Sequence, residues 1–459
     1  MYRHKGQEIL NCHSLTLACL LSAGAVAVAG CGGGSSSSGG DGNGSGNGDT
    51  GVGDVSIDIE LVSANEAGDS ATGSQSVGAN HASLSDAGAA GAMNAAGTLV
   101  AFNGGGVDYN ADYSYEGFVR DMTEEDLGVE HVSLYPEDQP HDGFSGYSLR
   151  PALSGDGSTV AFYSSGFSSV DSIRSQIFVR NLEDQETAVA SVVEGTGAAG
   201  AAGSRFPNLS DDGSLVVFES DADLIDGGTH DDEAGFPFPT QQIYLRDMVA
   251  QETIRVSRDA DSPDEPGDGR SQMADISGNG DYVVFESRAD NLVEDVSGDD
   301  MSIFLYDVKQ EELTHLSVDA AGDALTGDAR RPAISDSGDR VVFTGPGSMY
   351  LWERGEGTDL VLEESVTDPA ISGDGRYVAY QDTSGGNGQI YRFDLDSRDE
   401  PVRITHAHDG SSPDADSEHP VISEDGSIIA FDSAAENLLG GAHDHGTGTD
   451  AYRAVITQE

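Results

Sequence analysis

Apolar positions along this chain fall into short alternating runs, and a fixed spacing recurs among them. Seven times a glycine is followed, five residues later, by an aromatic residue that closes such a run: Gly97/Phe102, Gly157/Phe162, Gly213/Phe218, Gly280/Phe285, Gly338/Phe343, Gly375/Tyr380 and Gly426/Phe431. Six copies read LSGDGSTVAF, LSDDGSLVVF, ISGNGDYVVF, ISDSGDRVVF, ISGDGRYVAY and ISEDGSIIAF, after a weaker first copy, MNAAGTLVAF. A constant offset at a variable period marks one supersecondary unit repeated with loops of differing length. Asp-Gly between two apolar runs predicts a hairpin with a two-residue type I′ turn. The run before the turn (as Pro332 to Ser335) and the run after it (as Tyr377 to Tyr380) are its two strands. A third strand comes next in every copy, from GFVRDM at Gly117 to AYRAVI at Ala451, and a fourth in most, such as TIRVS at Thr253. The expected fold is all-β: a seven-bladed β-propeller of four-stranded antiparallel blades.

The chain ends predict how the ring closes. The seventh unit supplies only three strands before Glu459, while the run Ile57–Ser63 has no hairpin before it. The segment after that run, ANEAGDSATG, aligns with VDAAGDALTG after Leu316-Ser317. Ile57–Ser63 is therefore expected to complete the last blade and so hide a strand edge.

On these motifs the repeats resemble the TolB-type, WD-repeat-like propeller unit of bacterial envelope proteins over roughly residues 55–459. That unit has an S-P-D-G turn, an apolar strand ending in an aromatic, then an I-Y-V-x-D strand. The chain departs from it in lacking proline in the turns and in counting seven units where TolB has six. The resemblance implies a propeller and an interaction role; it names no partner.

Residues 1–30 read as an export signal: Arg3 and Lys5, then an apolar core from Leu15, then Val28-Ala29-Gly30-Cys31, which matches a lipobox. Cys31 is the expected lipidation site, and residues 31–54 the lipidated cysteine plus a Gly/Ser-rich tether spanning roughly 25–30 Å as a coil. Cys12 and Cys19 leave with the signal, so no disulfide can form. No Asp follows Cys31, which favours outer-membrane sorting, with the domain on the periplasmic or cell-surface side. The formal charge is −59, and loss of Arg3, Lys5 and Glu8 leaves −60. Such self-repulsion opposes compaction in dilute buffer and fades when molar salt shrinks the Debye length to about 3 Å. The composition thus suits a saline exterior, and nothing in it would neutralise nucleic-acid phosphates.

The long acidic inserts (221–233, 290–300, 436–450) and the inter-blade segments 259–268 and 406–418 are expected on one face, with the Asp-Gly turns on the other. Calcium is one reading of that long-looped face: Asp295, Asp299 and Asp300 form the tidiest oxygen cluster, then Asp226, Asp231 and Asp232. The alternative is a solvated acidic loop. Late histidines, His406, His408, His443 and His445, with His419, offer H-x-H spacing for a transition metal. Some pectin-degrading lyases are propellers of similar repeats with a His-bound metal, which makes a metal-dependent polysaccharide lyase the enzyme alternative. Nucleophile-elbow, phosphate-loop and H-E-x-x-H motifs do not occur. Trp352 is expected to pack, and Arg150, Arg205, Arg270, Arg330 and Arg331 to pair with carboxylates of neighbouring blades. The expectation is a lipid-anchored binding module for envelope proteins or cationic or saccharide ligands, not an enzyme, with no cofactor beyond a calcium ion at the acidic loops.

Overall fold

The computed structural model describes residues 55–63, 92–104, 116–123, 129–134, 148–164, 175–226, 240–294, 296, 300–363, 365–440 and 449–458. All belong to the compact unit Gly53–Glu459. They form seven antiparallel sheets arranged as a seven-bladed β-propeller. Six sheets have four strands. In the first, three strands (Leu99–Gly104, Glu116–Asp121, Val129–His131) are joined by a bridge from Met93 to Val100 where the innermost strand would run.

Each blade repeats one packing device. The aromatic closing the second strand lies directly opposite an aromatic in the third, and the rings stack: Phe102 on Phe118, Phe162 on Phe178, Phe218 on Tyr244, Phe285 on Phe304, Phe343 on Tyr350, Tyr380 on Tyr391 and Phe431 on Tyr452. Centroids are 5.5–6.2 Å apart, within the favourable range for aromatic pairs. Aliphatic residues on the blade faces fill the space between neighbours, as where Val217 of the third blade packs with Ala274 and Ile276 of the fourth. Trp352 joins such a cluster, as expected.

Ring closure matches the expectation. Val55–Leu61 pairs antiparallel with Asp450–Gln458 as the outermost strand of the last blade. Ile57 and Ile59 lie against that blade's core beside buried Leu61. Arg120 of the first blade donates to the carbonyls of Leu61 and Val62 at 2.8 and 2.7 Å, tying the closing strand to the blade on its other side.

The turns differ from the two-residue form expected. Only the glycine has positive φ (Gly157 at 75°), and the chain closes by Gly157 N donating to Ser154 O at 2.9 Å. Five residues, 154–158, separate the two strands. The cause is the serine, whose side chain fills the space inside a wider turn. Ser154 Oγ donates to Asp156 at 2.7 Å and accepts the amide of Thr159 at 3.0 Å. Ser210, Ser277, Ser372 and Ser423 repeat the arrangement with Asp212, Asn279, Asp374 and Asp425. This is the physical content of the S-x-D-G signature.

Candidate functional site at the turn end of the channel

Because a serine, or Asn94 in the first blade, fixes each turn, the residue that follows it is held at the channel. Its peptide reaches the next blade. Ala95 N donates to Gly155 O, Asp156 N to Asp211 O, Asp211 N to Gly278 O, Asn279 N to Asp336 O, Asp336 N to Gly373 O, Asp374 N to Glu424 O, and Glu424 N back to Ala95 O. These bonds, 2.8–3.0 Å long, form an unbroken belt through all seven blades.

The side chains at this position run Ala95, Gly155, Asp211, Gly278, Asp336, Gly373, Glu424, so each acid is flanked on both sides by glycine or alanine. The pattern is steric. A Cβ at Gly155 or Gly278 would overlap the Asp211 carboxylate, and one at Gly373 would overlap Asp336. Beneath lies a cup of about 110 Å³ walled by Leu153, Leu209, Ile276, Ile334, Ile371 and Ile422, with Asn208 and Asp275 among its polar lining.

Burial, then the neighbouring Asp211, Glu424 and Asp374, pushes the Asp336 carboxyl up to about 7. Burial raises Asp211 as well, with repulsion from Glu424, Asp156 and Asp212 adding to it. Asp275 is pushed to about 7 by burial, although it accepts the amides of Ile276 and Ile334 at 2.9 and 3.1 Å. Among the described residues no three His, Cys, Asp or Glu side chains come close enough to share a metal ion. Acids that repel one another are relieved by taking up a proton or by a cation placed beside them.

The residues singled out from sequence lie elsewhere. Asp226 is exposed, with its amide on Asp223 at 3.2 Å, and Asp300 is exposed and accepts the Gly327 amide at 3.0 Å. His406 is half-buried with Nδ1 on the Ile404 carbonyl at 2.9 Å, and His408 is exposed. Cys31, Asp231, Asp232, Asp295, Asp299, His443 and His445 fall outside the described residues. Sequence reasoning missed Asp211, Asp336 and Glu424 by treating the S-x-D-G turns as regular scaffold. The signal was the x position itself, which alternates Gly with Asp or Glu in six copies.

No family model matches the chain, and no curated protein matches it in sequence. Solved structures share the fold. An oligogalacturonate lyase in complex with manganese is 13% identical with a TM-score of 0.51, the match covering 88% of this chain and 98% of that one. A prolyl endopeptidase is 13% identical with a TM-score of 0.51, covering 83% of this chain and 50% of that one. TolB from Acinetobacter baumannii aligns more loosely, 17% identical with a TM-score of 0.37, over 63% of this chain and 62% of its own. The likenesses to the lyase and the endopeptidase establish the architecture alone. They also correct one expectation: setting the chain aside as a non-enzyme does not stand, because enzymes are among the proteins carrying this propeller.

Proposed function

We propose that this chain is an exported binding module, lipid-anchored at Cys31, that takes a cationic group of its partner into the cup at the turn end of the channel. One observation carries the reading: Asp211, Asp336 and Glu424 are built into a single belt around an aliphatic cup. An ammonium or guanidinium relieves their mutual repulsion, while its methylene stem lies on the leucines and isoleucines. The lipobox at Cys31 and the acidic composition support an anchored protein working at high salinity.

The test uses the Cys31→Ser protein, which this reading expects to leave the membrane fraction. Calorimetric titration with a trilysine peptide is expected to show binding that falls about tenfold or more, some 1.4 kcal/mol, in the Asp211→Asn/Glu424→Gln double variant. Equal affinity in both proteins would assign the binding to diffuse surface charge and end the proposal.

A metal-dependent polysaccharide lyase is the second reading, favoured by the fold shared with the manganese-bound lyase across nearly all of that chain. Incubation with trigalacturonate and manganese checks it: an unsaturated product is expected, and unchanged substrate removes the reading.

A further inference from the structure

The innermost strands carry a second, opposite pole at their other end. In blades two to seven each of these strands bulges, and at the bulge one non-glycine residue has positive φ: Arg150, Phe206, Met273, Arg331, Asp368 and His419. Bulges re-aim side chains. The residue after the second-strand aromatic of one blade then reaches the bulge of the next. Asn103 accepts the amide of Arg150 at 3.1 Å, Glu219 that of Met273 at 2.7 Å, and Glu286 that of Arg331 at 2.8 Å.

Glu219 stands out among these. It is fully buried, one oxygen holds the Met273 amide, and the other, Oε2, has no partner. Arg205, its cross-strand neighbour, together with Arg270 and Arg150, surrounds it with positive charge from three successive blades. Burial nonetheless pushes the Glu219 carboxyl up to about 8, so at neutral pH it adds little negative charge to offset them.

The three guanidiniums have different company. Arg205 pairs with Asp221. Arg270 donates to a neutral partner, Gln241 Oε1, at 3.0 Å, and Arg150 lies 4.0 Å over the Phe206 ring. Two more buried polar atoms in the cluster, Arg205 Nε and Gln241 Nε2, lack partners. A buried donor left without an acceptor is costly, which favours a ligand that supplies one. A chain with 22 basic and 81 acidic residues has thus gathered three guanidiniums around one buried acid, with the Arg205 Nε and Gln241 Nε2 donors beside it unmatched.

We propose that this end of the channel binds an organic carboxylate, held by Arg150, Arg205 and Arg270 above Glu219. Guanidinium forks match a planar carboxylate two bonds at a time. The half-buried Phe206 and Met273 at the same bulge level give the ligand's carbon skeleton apolar contact, which a bare inorganic anion could not use. The inference goes beyond the cationic cup and does not rest on it, since the two sites sit at opposite ends of the innermost strands.

The test is calorimetric titration of the intact propeller with citrate and, separately, with inorganic phosphate at matched ionic strength. Citrate is expected to bind, and Arg150→Gln and Arg270→Gln each to weaken it by about tenfold or more, as for a lost charge-assisted bond. Lys309→Gln, a cation outside the cluster, is expected to leave affinity unchanged. Citrate should also raise the wild-type melting temperature by mass action, a readout that stands even if a variant fails to fold. No citrate binding, undiminished binding in both arginine variants, or phosphate binding as tightly as citrate would each overturn the assignment.

Discussion

Removing residues 55–62 is expected to cost the propeller about 5 kcal/mol and to make it self-associate. The segment carries Ile57 and Ile59 half-buried and Leu61 buried against the last blade, and aliphatic burial contributes about 1.5–3 kcal/mol per fully covered side chain. Against a total of about 5–15 kcal/mol for a folded domain, that loss is decisive. The deletion also strips the partner from Asp450–Gln458, leaving a row of unpaired amides and carbonyls that templates association. Arg120 loses the carbonyls of Leu61 and Val62 as acceptors. Urea denaturation and size-exclusion chromatography check this. An unchanged midpoint with a monomeric elution volume would mean the ring is held shut elsewhere, with the seven-bond belt as the next place to look.

Asp336→Asn is expected to stabilise the protein at alkaline pH by on the order of 2 kcal/mol, allowing for solvent screening of a partly exposed carboxyl. The sign comes from proton counting. The folded carboxyl is raised to about 7 from an unfolded value of 3.8, so between those values the native state holds a proton that the unfolded chain has lost. Stability therefore falls as pH rises through that window, and above it the native state carries the penalty of a half-buried, repelled charge. The asparagine variant is free of this slope. Its advantage should be largest near about pH 8, shrink toward pH 4, and diminish at molar salt, where repulsion from Asp211, Glu424 and Asp374 is screened. Melting curves of both proteins across this range provide the comparison. A stability difference that does not vary with pH would show that Asp336 does not titrate in that window.

Both results bear on the relation between the turns and the channel. Ser210 and Asp212 are visible as a turn in the sequence, and their hydrogen bonds make the local geometry self-sufficient. Asp211 sits between them, and its carboxylate is framed by residues far away in the chain. Gly155 of the preceding blade and Gly278 of the following one lie against it, 56 and 67 positions away. The arginines divide similarly. Arg330 meets Asp328 two residues away, a pairing visible locally, whereas Arg331 meets Asp368 of the next blade. Arg150 stacks on Phe206 because two bulges in adjacent strands turn toward each other.

The blade count, the aromatic that closes each second strand and the strand that seals the ring were all written in the linear order. They depend on hairpin spacing and alternation, which act over a few residues. Ring closure decided that three acids line one end of the channel and three arginines the other. Charges from different blades become neighbours only when seven similar units are rotated about one axis, and that rotation turns a once-per-repeat residue into a ring.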